Sequence, residues 1–222
     1  MVLVFTVLLL LGARTPASAD VEGGDLVRFR WAFGAIVGPP DDRRLVAITR
    51  DTALKTGDWL KMLIELEKPC YVYLIYQGDD GGLTLLFPYD LKQFDDDYEV
   101  SRKYYVPRGN EWFELDEESG LETFFLLASS TRLSDLENRL RACENAVDAE
   151  RPGLQAQVVE EIRMLRKRHK TFTTEAERPV PIGGRVRGED IGGSPYIPSI
   201  DPIAGEVSAP RFFGRTFTID HQ

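Results

Sequence analysis

The sequence predicts a mainly β protein, a β-sandwich or partly open antiparallel barrel, carrying a two-helix hairpin and a closing C-terminal strand. Short apolar segments recur between 26 and 128, and Gly, Pro and Asp turns separate them. Apolar spacing of three and four residues, the mark of an amphipathic helix, is confined to 133–165. A β-prone apolar segment then returns at the C-terminus.

The chain begins with a segment that is not expected to belong to the fold. Val2 to Leu11 is apolar apart from Thr6, Pro16 interrupts it, and Ala17-Ser18-Ala19 supplies the small residues a signal peptidase accepts. Cleavage is expected after Ala19, giving a signal peptide over 1–19 and placing the protein in the periplasm or outside a bacterial cell. The basic n-region is missing, because Met1 leads straight into the apolar run.

The β-rich core is expected over 20–130. In 26–33, Val27, Phe29, Trp31 and Phe33 share one side and Leu26, Arg28, Arg30 and Ala32 the other, as in a half-buried strand. Leu45 to Thr49 is a short second strand. After the Thr56-Gly57-Asp58 turn, Leu60, Met62, Ile64 and Leu66 alternate with charged neighbours. Cys70 to Tyr76 is apolar on both faces, which predicts a strand covered on both sides. Gln77 to Gly82 has turn chemistry, so Leu83 to Phe87 is its hairpin partner. A polar, acidic stretch follows, and Lys103–Val106, Trp112–Leu115 and Leu121–Ala128 are three further strands.

The helical hairpin is expected over 131–170, packed on the core. Ser134-Asp135-Leu136-Glu137 matches a capping box, and Leu133, Leu136, Leu140, Cys143 and Val147 form one stripe. Leu154, Val158, Ile162 and Leu165 form a second. Residues 171–211 are expected to be a Pro/Gly-rich arm, since 179–210 holds six Pro and six Gly without periodicity. Residues 212–222 then complete the core as a strand.

Composition limits the chemistry. With 222 residues, 43% hydrophobic and 10% aromatic, the chain can fill a core. A net charge of −9 argues against nucleic acid, whose phosphates need clustered positive charge. Beyond the signal there is no apolar run long enough for a membrane span. An even cysteine count in an oxidising compartment permits one Cys70–Cys143 bridge, worth about 4 kcal/mol for a loop of that length. Both positions are also ordinary places for free buried thiols.

Asp95-Asp96-Asp97 begins like a calcium loop, but Val100 and Val106 stand where Gly and Glu are needed, so a solvated loop is expected. Gly183 to Gly188 is followed by Glu189-Asp190, which would repel phosphate. No catalytic motif surrounds His169 or His221, and no catalytic, metal or cofactor residue is assigned. His169 ends a basic run suited to a helix C-terminus. Tyr71, Tyr73 and Trp112 are the candidate aromatic ligand face, suited to stacking on sugar rings or anchoring a partner; a buried packing layer is the alternative.

Leu54 to Met62 (LKTGDWLKM), Cys70 to Leu74 (CYVYL), Leu85 to Pro88 (LLFP), Tyr105 to Pro107 (YVP) and Gly120 to Ser129 (GLETFFLLAS) form a recognisable series. Over about residues 50–130 this series resembles the bacterial domain-of-unknown-function family numbered 4384. The resemblance implies a β-rich, non-catalytic domain of envelope or secreted proteins and carries over no site residues. The expected function is a non-catalytic interaction or accessory module whose partner is another envelope protein. A glycan-binding module and a hydrolase using a carboxylate pair are the alternatives.

Overall fold

The structure is a computed structural model that describes residues 26–39, 42–169, 176–178 and 198–222, with backbone alone for 176–178. The expected signal segment, and 171–175 and 179–197 of the expected arm, lie outside the described residues.

Two sheets face each other. Strand β1 (Leu26–Val37) organises the first. One edge of β1 pairs with β4 (Trp59–Leu66) from Phe29 to Ile36. Its other edge is shared: β11 (Gly205–Pro210) takes Leu26 to Trp31, and β2 (Arg44–Ala47) takes Gly34 to Val37. Strands β7 (Lys103–Val106) and β8 (Phe113–Glu114) add to β4, and β10 (Ala176–Arg178) adds to β11. The second sheet has the order β3 (Thr52–Leu54), β12 (Phe212–His221), β9 (Gly120–Ser129), β5 (Tyr71–Gln77), β6 (Leu83–Phe87). All pairings within it are antiparallel except β12 with β3.

Period-two alternation fills the space between the sheets. Val27, Phe29, Trp31 and Phe33 from the first meet Val72, Leu74, Phe124, Leu126, Phe213 and Phe217 from the second. Phe33 contacts Phe124 edge-on at 5.0 Å and Phe217 at 5.7 Å, a favoured arrangement for aromatic quadrupoles.

The outer face of the second sheet carries Tyr73, Ile75, Phe125 and Leu127, which would be exposed in a two-layer sandwich. Helices α2 (Ser134–Glu144) and α3 (Arg151–His169) cover it with Leu136, Leu140, Val158, Ile162 and Leu165. This explains why β5 is apolar on both faces. The outer face of the first sheet carries Ala32, Ile36 and Leu63, covered by Ile200, Ile203 and Ala204 around a 3-10 turn at Asp201–Ile203. Gly34 lies beneath this cap, and a Cβ there would sit 2.8 Å from Ile203 Cδ1.

Several expectations are corrected. Gly205–Pro210 is a strand and 198–204 a cap, not parts of an arm, because the exposed edge and outer face of β1 accept them. The acidic stretch contains a short helix, α1 (Gln93–Asp96), and Asp95 and Asp97 form ion pairs with Arg132 and Arg102. The capping box does not form: Leu133 is the N-cap of α2, with no side-chain cap bond. Val147 is 63% exposed, because α2 ends at Glu144 before the stripe reaches it.

Candidate functional site

Tyr71 and Tyr73 share a face, but Trp112 is not on it. Tyr73 is fully buried under α2, and Tyr71 packs half-buried against Phe94 and Tyr98 on the same outer face of the second sheet. Trp112 lies across the sandwich, against the outer face of the first sheet. Cys70 and Cys143 are both free and buried. The reason is the layering: Cys70 sits between the sheets and Cys143 beneath the helices, on opposite faces of the second sheet. Burial pushes the Cys70 thiol up to about 11 and raises that of Cys143, so neither is an activated nucleophile.

Two polar clusters hold the layers together, and neither was visible in the sequence. Under α2, Glu137 is buried and accepts from the Tyr73 hydroxyl at 2.7 Å and from Arg132 Nε and Nη2 at 2.9 and 2.6 Å. Tyr73 Oη accepts the Leu133 N–H at 3.0 Å, so the start of α2 is tied to β5 instead of to its own Ser134. On the far side, the buried Lys61 ammonium donates to the carbonyls of Gly109 and Glu111, beside Tyr105 and Trp112. Its pKa is lowered by burial, against the raising charge of Glu111. With two of its three N–H donors on these carbonyls, it ties the 109–111 loop to β4. His169 is also structural: its ring stacks on Phe212 at 4.6 Å, and burial, Arg168 and Arg211 lower its pKa.

A cavity of about 240 Å³ lies at one end of the sandwich, between the ends of the two sheets. Its apolar wall is Leu60, Leu86, Phe113, Leu115 and Phe124, and Glu114, Asp116, Glu122, Tyr76 and His221 supply the polar groups. Strand alternation places them. Glu122 has the same parity on β9 as the inward-facing Phe124, Leu126 and Ala128, so its carboxylate turns inward at the strand's open end. Leu121, of opposite parity, is 51% exposed. The inward Tyr76 on β5 donates its hydroxyl to Glu122. Burial first, then that hydrogen bond and the charges of Glu122, Asp80 and Asp116, push the phenol far above its ordinary pKa. Strand β8 forms the opposite wall; it is held to the 57–58 turn by the Gly57 N–H to Leu115 O and Leu115 N–H to Asp58 O bonds.

His221 is buried, with Nε2 3.3 Å from Thr56 Oγ1. That is long for a hydroxyl–imidazole bond, and among the described residues no carboxylate orients the ring. Among the described residues, no group of three or more His, Cys, Asp or Glu could hold a metal, and no helix is long and apolar enough to cross a membrane.

The fold and this end cavity define a helix-covered β-sandwich with a hollow at an end of its two sheets. Residues 53–132 match the family model described as "Domain of unknown function (DUF4384)", as the sequence resemblance implied. That segment supplies every wall of the cavity except His221. No curated protein and no solved structure matches the chain.

Proposed function

We propose that this chain is a non-catalytic interaction module of an exported bacterial envelope protein, and that it engages its partner at the open end of the sandwich. The observation that carries the reading is the end cavity: an apolar hollow beside Phe113, which is 38% exposed although it is a large aromatic. Partly exposed apolar residues around a concavity are the usual mark of a docking site. The apolar run at Val2–Leu11 and the Ala17-Ser18-Ala19 site support export.

The test is site-specific photo-cross-linking in the host cell, with the photoreactive residue at Phe113 and, as a control, at Val147 on the helical side. A discrete cross-linked product from position 113 and none from 147 is the expected result. Equal labelling from both, or none from 113, removes the reading.

A second reading, hydrolysis by paired carboxylates, keeps one observation in its favour: Glu114, Asp116 and Glu122 line the same cavity. Turnover of a chromogenic glycoside or ester that disappears in Glu122→Gln would establish it in place of the first.

A further inference from the structure

From the cavity's shape and charge we infer its occupant: a single lysine or arginine side chain, presented by an extended basic and apolar segment of the partner protein. The inference rests on the interaction-module reading and adds the chemistry of the ligand. At about 240 Å³ the cavity falls below the roughly 300–1,000 Å³ typical of small-molecule pockets and suits one long side chain.

The two parts of its lining ask for two different things of that side chain. Leu60, Leu86, Leu115 and Phe124 present hydrocarbon, which suits a methylene stem that loses nothing by leaving water. Glu114 and Asp116 at the mouth, and Glu122 facing inward, present carboxylates. Among the described residues no Lys or Arg forms an ion pair with any of the three, whereas Glu65, Glu67, Asp95, Asp97, Glu137 and Asp201 all have such partners. Tyr76 satisfies one Glu122 oxygen with a neutral donor and adds no positive charge. A stem-and-cation ligand completes both parts at once, and Phe113 offers the incoming cation an aromatic edge of the site to pass over. An anionic ligand would face three carboxylates in a chain of net charge −9.

The test is fluorescence anisotropy of the full chain with a labelled Gly-Leu-Arg-Leu-Gly peptide, alongside the peptides carrying citrulline or Glu in place of Arg. Citrulline keeps the shape of arginine and removes its charge. The arginine peptide should bind about tenfold more tightly than the citrulline peptide and the Glu peptide should not bind, since each partly exposed charge pair adds only a few-fold and three carboxylates contribute together. Glu114→Gln with Asp116→Asn should remove most of the arginine preference and leave citrulline binding unchanged. Glu144→Gln, on the exposed side of α2, should change nothing. Unchanged circular dichroism and melting of the variants separates lost binding from lost folding. Equal affinity for the arginine and citrulline peptides, or no binding of either, overturns the inference. So does binding that survives the double substitution, or displacement of the arginine peptide by a neutral oligosaccharide. A cross-linked partner at position 113 together with any of these results would leave the interaction-module reading standing and sink the cationic ligand alone.

Discussion

Replacing Glu137 by alanine should destabilise the protein by about 3 kcal/mol, the low end of the roughly 3–5 kcal/mol cost of breaking a buried ion pair by removing one partner. The low end applies because Arg132 is not stranded. Its side chain is 25% exposed, and it keeps Asp95 at 2.8 Å and the Leu91 carbonyl at 3.4 Å. The Tyr73 hydroxyl, fully buried, keeps only the Leu133 N–H. Tyr73→Phe should cost about 2 kcal/mol, two lost hydrogen bonds at about 1 kcal/mol each, the one to Glu137 and the one from the Leu133 N–H. The double variant should cost less than the sum by about 1 kcal/mol, because both changes remove the same bond. Glu144→Ala, exposed on the same helix, should stay within about 0.5 kcal/mol of the parent.

Acid should act in the same direction. Burial alone would raise the Glu137 pKa, but hydrogen bonds from Arg132 and Tyr73 and the charges of Arg132 and Arg141 outweigh it and hold the carboxyl below its ordinary value. A depressed folded pKa gives stability that is complete above the unfolded value of about 4.3 and is lost as pH falls through the folded one. The penalty of Glu137→Ala should therefore shrink in acid. The assay is urea unfolding followed by far-ultraviolet circular dichroism at several pH values. A Glu137→Ala cost under about 1 kcal/mol at pH 7, or strict additivity with Tyr73→Phe, refutes the reasoning.

Other outcomes follow from the same geometry. Asp201 is held down to about 2: burial would raise it, but hydrogen bonds from Lys103, Ser199 and Tyr105 prevail. Its contribution should be complete above the unfolded aspartate value of about 3.9 and vanish as pH falls through 2; Asp201→Asn, losing about 1 kcal/mol or less at pH 7 by urea titration, should abolish that component. Gly34→Val should cost about 1–3 kcal/mol by the same titration, since its side chain meets Ile203, Ile200 and Leu45, and hydrogen exchange should quicken at 200–204. Thiol titration without reductant should find both cysteines free on denaturation and slow to react at pH 8 when folded; a bridged pair by mass spectrometry would contradict the layering.

Strands were legible where alternation or a two-sided apolar run leaves one solution, as in β1, β4 and β5. The closing strand β12 and the apolar stripes of α2 and α3 were legible for the same reason. The Ser134–Glu137 pattern predicts a capping box that does not form, because local sequence does not reveal that a tyrosine 60 positions away accepts the Leu133 N–H. Strand β11 is hidden in the sequence because Gly205, Pro210 and the Pro-rich stretch before them obscure the inward pair Val207 and Ala209. The cavity does leave a signal in the sequence. Within GLETFFLLAS, Glu122 has the parity of the core residues while Leu121 has the parity of the outer face, and a reversed phase at a strand's open end marks a place where the core is unfinished.

The position of β12, inserted between β3 and β9, also constrains how the chain can mature. The segment that matches the family model contains β4 through β9 but neither β12 nor β1 and β11, so by itself it lacks an interior strand of one sheet and the organising strand of the other. During translation, at roughly 5–20 residues per second, β9 must wait several seconds with an unsatisfied edge until Phe212–His221 has been synthesised. The nascent chain therefore cannot close its sandwich progressively from the N-terminus. The edge of β9 that β12 covers stays open until Phe212–His221 has been made, so pairing across this sheet is long-range and late.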